Sequence, residues 1–471
     1  MPQLAIRALP PLVALPLMAA SLTAQAPVAA PEPVALVGAT VVDGTGEAPA
    51  ANAVVVVRDG RIACVGPETA CAVPADAERI DVAGKWIIPG LVDAHVHYSQ
   101  TGWADGRPDA YDARDRFPYI EVIAKLRDPT PFFRSYLCSG VTATFDVGGY
   151  PWTWGLRQPS DGSTSAPHVA AAGPLLSTRD HWLNVPAERQ FIHMGSDSAT
   201  LAGAQYLVAN ATDAVKVWFL AGRNSPDTTA FKERLRIGAA EAARAGIPLI
   251  VHATGLWQAK VAVGAGAHLL VHGVGDVPVD DEFLELARAA GTIYTPTLVV
   301  SDGYRQLRVR SFDAGRYDLA CVDPETQAKA FLSDSLAGGM EAAARERAAE
   351  QAAQQDALGA ANLMRVHRAG IPVVMGTDAG NPLTLHGPSV FLEMEAMQAA
   401  GMTPMEVLVS ATAVGAQAMR RSMDFGTVEQ GKVADLVVLD ADPTADIRNV
   451  RRVALVVRGG EVHRREDLEY R

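Results

Sequence analysis

Six polar side chains stand at or near the ends of apolar strings in this chain, and their types suit the holding of metal ions. His95 and His97 close the run Trp86-Ile87-Ile88-Pro89-Gly90-Leu91-Val92-Asp93-Ala94. One residue apart, they project from the same face of a β-strand, where two imidazole nitrogens can share an ion. Neutral imidazole suits zinc and its neighbours in the first transition row. A bare His-x-His is common and fits a chance pair on a solvated strand equally well, so the other strand ends carry the argument. Lys216 lies inside Ala214-Val215-Lys216-Val217-Trp218, His252 ends Leu249-Ile250-Val251, His272 ends Leu269-Leu270-Val271, and Asp378 follows Val373-Val374-Met375-Gly376-Thr377. A buried lysine or aspartate without a partner costs several kcal/mol, so packing alone gives no reason for these residues.

The elements that must position them alternate β-like apolar strings with alanine-rich helical stretches, the pattern of a parallel α/β fold. Strands are predicted at Ile88–His95, Thr142–Asp146, His168–Ala172, Ala214–Trp218, Pro248–His252, His268–His272, Thr292–Thr295 and Val373–Thr377. Eight strand–helix units over residues 89–423 predict a (β/α)8 TIM-like barrel, whose catalytic groups sit at the C-terminal ends of the strands. Residues 35–88 and 424–471 read as short strands and turns, with an Asp59-Gly60 hairpin signal. They predict a small discontinuous β-sandwich built from both termini. An insertion around 301–370 carries a helical stretch from Met340 to Ala361, which suits either a solvated helix pair or a lid over the site.

A net charge of −12 argues against a nucleic-acid partner, because a phosphate backbone attracts basic surfaces. Hydrophobic residues at 49% and charged residues at 20% are ordinary for a globular chain. Residues 1–26 read as a signal peptide: Arg7, the apolar Leu9 to Leu22, then Ala24-Gln25-Ala26 as a cleavage pattern. Residues 27–34 read as a proline- and alanine-rich leader. The expectation is a periplasmic or secreted protein with no membrane association once the signal is removed. Cys64 and Cys71 flank a turn and suit either a disulfide or two small buried side chains. Cys138 and Cys321 have no evident partner in the sequence. No thiolate pair has metal-site spacing, so nitrogen and oxygen must supply the ligands.

Three motifs carry a resemblance. Pro89-Gly90-Leu91-Val92-Asp93-Ala94-His95-Val96-His97, Gly376-Thr377-Asp378-Ala379-Gly380 and Gly431-Lys432-Val433-Ala434-Asp435-Leu436-Val437 resemble those of the amidohydrolase superfamily. The chain is most similar to its branch of imidazolonepropionase-like proteins and metal-dependent prolidase-type dipeptidases, over essentially the whole length after the leader. The resemblance implies two divalent metal ions, zinc by expectation. His95, His97 and Asp378 would hold one, and His252 and His272 the other. Lys216 aligns with the lysine that takes up carbon dioxide in the two-metal subtype to give a bridging carbamate. The alternative for Lys216 is a plain ion pair with a buried acid. Asp378 would also move a proton from the attacking water to the leaving nitrogen.

The expected function is therefore hydrolysis of an amide bond in a small-molecule substrate, a dipeptide or an N-acyl amino acid. A cyclic-amide or lactone hydrolase using the same metal chemistry is the alternative among enzymes. A binding protein on a catalytically dead barrel is the alternative outside them. For substrate contacts the sequence offers Tyr98, Arg179, His181, Arg223, Tyr294 and His386, the cations among them because they could clamp a carboxylate. Each suits a solvated loop as well. Ala221-Gly222-Arg223-Asn224 departs from the glycine-rich stretch of relatives, so specificity does not carry over. His193, His268, His367 and His463 receive no role, and a homo-oligomer is left open.

Overall fold

The computed structural model describes residues 33–181, 183–185 and 188–471. The expected signal peptide and nearly all of the leader lie outside the described residues.

Both ends of the chain build one mixed sheet. Its order runs Glu461–Arg464, Val453–Arg458, Leu436–Leu439, Trp86–Pro89, Val34–Val41, Ala50–Arg58 and Arg61–Pro67, with Glu78–Asp81 also paired to Val34–Val41. The Asp59-Gly60 turn joins Ala50–Arg58 to Arg61–Pro67 with φ of 52° and 75°, the pair of positive values a type I′ hairpin requires. At the far edge, Ile62 N–H donates to Lys432 O at 2.9 Å and Ala434 N–H to Gly60 O at 2.9 Å, so the sheet folds back on itself. Leu36, Val55 and Ile87 consequently share a core with Leu436 and Val457. The pairing gives a single curled sheet of eight strands where a sandwich is expected.

Between these ends the strands are parallel. Leu91–Val96, Val141–Asp146 and His168–Ala171 pair in that order. Leu175–Ser177, Val215–Trp218, Leu249–His252, Leu269–Val271 and Ile293–Thr295 form a second run, with Phe191–His193 on its edge. Two expectations are corrected here. The predicted strand from Ile88 to His95 is two strands, since Ile88 belongs to the terminal sheet and Gly90 separates the pieces. The predicted strand at Val373–Thr377 is not a regular strand. It touches its neighbours through single bridges, Val373 to Tyr294 and Ala379 to Val96. Asp378 lies between these two bridges with φ of +63°, which breaks an extended ladder. The eight segments thus stand in barrel order, without one continuous ladder among the described residues.

The insertion contains the helices Val300–Val309, Pro324–Leu332 and Ala342–Arg368. The last is longer than the sequence suggests. Its early turns are mostly exposed, whereas Asn362, Leu363, Met364 and Val366 pack against the parallel strands' helical layer. Cys138, at the end of the helix Thr130–Cys138, forms a disulfide with Cys321 in the insertion, and Cys64 pairs with Cys71. The expectation that Cys138 and Cys321 lack partners is corrected: 183 residues separate them in sequence, and only folding brings their Cα atoms to 5.5 Å. No helix among the described residues is long and apolar enough to cross a membrane.

Candidate active site

The C-terminal ends of the parallel strands open into a cavity of about 550 Å3, and His95, His97, Lys216, His252, His272 and Asp378 all line it. Alternation along the strand Leu91–Val96 turns His95 inward, and His97 follows two residues later on the same side. The chain approaches itself closely here. A Cβ at Gly376 would lie 2.9 Å from His95 Cβ, so only glycine lets the segment before Asp378 run against this strand. Asp378 N–H donates to His95 O at 2.7 Å and His97 N–H to Ala379 O at 2.8 Å.

Asp378 is the centre of the arrangement. Its Oδ1 lies 3.1 Å from His95 Nε2 and 3.0 Å from His97 Nε2, and its Oδ2 is 3.9 Å from His272 Nε2. The His95 and His272 rings are 4.9 Å apart, and those of His272 and His252 are 4.3 Å apart. His272, Thr297 and Asp378 have φ of 75°, 43° and 63°, left-handed values that cost non-glycine residues of order 1–3 kcal/mol each. The hydrogen bond of His272 Nδ1 with Thr297 Oγ1, 2.9 Å, joins two of these strained positions.

Electrostatics show what this cluster accepts. Burial lowers the His95 imidazole to about 4 and pushes His252 and His272 well below their usual value, so these rings are neutral. Burial raises the Asp378 carboxyl, but the adjoining histidines outweigh it and hold the group ionised. His97 Nδ1 lies 2.6 Å from the carbonyl of Gly148, which can only accept. That contact places a proton on Nδ1 and turns Nε2 toward Asp378 Oδ1. Both nitrogens of His95 and Oδ1 of Asp378 are buried without a hydrogen-bond partner. Lone pairs converging on one another in this way fit a cation between them. His95, His272 and Asp378 each present a ligand atom, all within 4.8 Å of one another.

Lys216 is 2% exposed, and its ammonium makes no hydrogen bond or ion pair among the described residues. Burial lowers it to about 7 although Asp378 and Asp146 oppose the shift. An amine held unpaired and close to neutrality is poised for reaction rather than for an ion pair.

A family model described as the amidohydrolase family matches residues 86–463. The chain belongs to the amidohydrolase family. It is a hydrolase acting on C–N amide bonds. It is 28% identical over 410 residues to the imidazolonepropionase of Cutibacterium acnes, covering 83% of this chain and 84% of the relative. To the imidazolonepropionase of a Bradyrhizobium species it is 25% identical over 433 residues, covering 84% and 88%. The crystal structure of a putative prolidase from Bifidobacterium longum superposes with a TM-score of 0.67 at 25% identity, covering 92% of this chain and 94% of that one. Molinate hydrolase, at 24% identity and a TM-score of 0.67, shares the fold. The family and these neighbours imply a TIM-like barrel for the parallel segments described above.

The expected substrate contacts fare unevenly in this amidohydrolase. His181 lines the cavity, against Phe191 and Trp218. Tyr98 does not. The residue after His97 points away from it, and the Tyr98 hydroxyl bonds Thr144 Oγ1 at 3.0 Å in the core. His386 is buried between the Tyr136 hydroxyl and the Gln100 carbonyl, each 2.9 Å away. Tyr294 turns outward from its strand and accepts the Val274 N–H at 2.8 Å. Arg179 is exposed beyond the cavity, and Arg223 is exposed on a separate surface groove with Lys232 and Arg236. The wall is instead built from Arg107, Asp109, Trp218, Tyr304 and Asn381. Trp218 was legible, since it lies two residues after Lys216 on the same strand face. Arg107, in a loop without periodicity, and Tyr304, in the insertion, had no such signal.

Proposed function

We infer that this amidohydrolase is an exported two-metal enzyme that cleaves the amide bond of a dipeptide or an N-acyl amino acid. The observation that carries the reading is Lys216, a buried amine without a hydrogen-bond partner among the described residues, beside His95, His97, His252, His272 and an ionised Asp378. Once the ammonium has lost a proton to solvent, the Nζ lone pair forms an N–C bond to carbon dioxide, one C=O π pair moves to oxygen, and a second proton leaves the nitrogen for solvent. The product is a carbamate, an anionic oxygen donor that an ammonium cannot be. His95, His97 and Asp378 would then hold one divalent ion and His252 and His272 the second, and the carbamate would supply a further oxygen ligand. Bound there, the ions would supply Lewis acidity and a hydroxide at neutral pH. Asp378 does the proton work: ionised at Oδ2, it takes the proton of the attacking water and delivers it to the leaving amide nitrogen, which departs poorly unless protonated. The strained backbone at Asp378 and His272 fixes both side chains before substrate arrives.

Export is supported by the signal-like residues 1–26 and by the pairing of all four cysteines, which suits an oxidising compartment. The likeness to imidazolonepropionases favours a cyclic amide as a second reading, and Lys216 favours the first. The test is metal analysis of the wild type and Lys216→Ala, with dipeptides and N-acyl amino acids assayed beside a cyclic amide and a lactone. The reading expects a pair of zinc ions and amide turnover in the wild type. It expects loss of both in the variant, with partial recovery on adding a short-chain carboxylate. Full metal and activity in Lys216→Ala would overturn it.

A further inference from the structure

We propose that Arg107 is the residue by which this enzyme recognises a substrate carboxylate, so that its substrates carry a free carboxylate beside the scissile amide. The proposal rests on the amide-hydrolase reading above and adds the group that selects among amides. Arg107 lies in the loop after the strand Leu91–Val96, lines the cavity, and has a side chain only 18% exposed. Its Nε and Nη2 donate to Asp109 Oδ1 and Oδ2 at 2.9 and 2.8 Å, and its Nη1 donates to Asn381 Oδ1. A guanidinium has five N–H donors. One on each terminal nitrogen therefore remains without an acceptor among the described residues. Two donors on a rigid planar fork match the two oxygens of a carboxylate.

The fork is held at a fixed offset from the reacting centre. Asn381 is 2% exposed, and its Nδ2 donates to the backbone oxygen of Asp378 at 3.0 Å. The Tyr304 hydroxyl donates to the same Asn381 Oδ1 that Arg107 uses, at 2.6 Å, and its ring lies 5.7 Å from the guanidinium. Arg107 thus stands two hydrogen bonds from the aspartate that moves the proton. Beside this pair, His181 Nε2 lies 3.9 Å from Asp109 Oδ2.

The same histidine marks where the side chain of the carboxylate-bearing residue goes. The His181 ring is 4.9 Å from Phe191 and 5.4 Å from Trp218, and these two are 5.1 Å apart. An aromatic wall beside a carboxylate fork selects a C-terminal amino acid with an apolar or aromatic side chain.

The test compares kcat/KM for N-acetyl-L-phenylalanine and its carboxamide in the wild type, Arg107→Gln and Arg107→Lys. The wild type should prefer the acid by about 100-fold, the worth of a pair of charge-assisted hydrogen bonds. Arg107→Gln should erase that preference through KM, costing the acid far more than the carboxamide, and the preference should be partly restored in Arg107→Lys. Equal losses on both substrates would make Arg107 a structural clip and overturn the proposal. Competition by free phenylalanine against phenylalaninamide gives the same comparison in the wild type alone, whatever the folding of the variants, and equal inhibition would also overturn it. A wild type that cleaves none of a panel of amides would sink the amide-hydrolase reading. Cleavage without preference for the acid would sink only the role of Arg107.

Discussion

Asp93 and Thr377 lock the first parallel strand to the segment that carries Asp378. Asp93 Oδ2 accepts from Thr377 Oγ1 at 2.6 Å and Oδ1 from Thr377 N–H at 3.0 Å. Asp93 is wholly buried, and its Oδ1 also takes the His95 N–H at 3.3 Å. One carboxyl therefore sets the distance between His95 and Asp378, although it touches neither the cavity nor substrate.

Replacing Asp93 by Ala should strand the Thr377 donors in the core and cost about 2–3 kcal/mol of stability. Because outer partners of a metal site tune its ligands, metal affinity should fall about 10- to 100-fold. Urea denaturation and titration with zinc read the two effects, and unchanged affinity would deny Asp93 this positioning role.

Asp378→Asn separates holding from proton transfer. The amide oxygen still offers a ligand atom, but the side chain no longer accepts a proton. Metal content should stay near that of the wild type while kcat falls about 100- to 10,000-fold. Near-normal turnover in a metal-loaded variant would remove the proton role.

Glu393 gives a pH dependence. Burial raises its carboxyl to about 8, and the N–H groups of Leu298 and Val299, at 2.9 and 3.0 Å, oppose the shift only in part. The folded chain binds this proton more tightly than the unfolded one, where the group titrates near 4.5. Its contribution is therefore fully present below pH 4.5 and is lost as pH rises through about 8, with a slope of about 1.4 kcal/mol per pH unit between. Glu393→Gln should flatten that part of the stability profile, measured by denaturation at pH 5, 6.5 and 8. An identical slope in both proteins would show that Glu393 stays ionised.

The Cys138–Cys321 disulfide ties the insertion, which brings Tyr304 to the cavity, onto the helix Thr130–Cys138. Closing so long a loop restricts the unfolded chain, so Cys138→Ser should cost about 3–5 kcal/mol. Cys321→Ser should cost the same and the double variant no more, as expected for one shared bond. A melting temperature that does not move would show the bond to be dispensable.

The sequence determined what depends on short-range pattern. Alternation within a strand puts His95 and His97 on one face, and apolar strings ending in a histidine or an aspartate, or carrying a lysine near their end, mark where strands stop. Seven of the nine regular parallel strands and the candidate ligands were legible on those terms, whereas Leu175–Ser177 and Phe191–His193 were not. Folding decided what depends on contacts between distant segments. The eighth segment is irregular because Gly376 and the left-handed Asp378 fit it against His95, and no propensity announces that. Tyr98, Tyr294 and His386 turn into the core because the packing behind each strand claims them. Arg107 reaches the cavity because Asp109 and Asn381, 274 residues away in sequence, hold its guanidinium there. Cys138 meets Cys321 for the same reason: which distant groups become neighbours is set by how the elements pack, and local spacing carries no record of it.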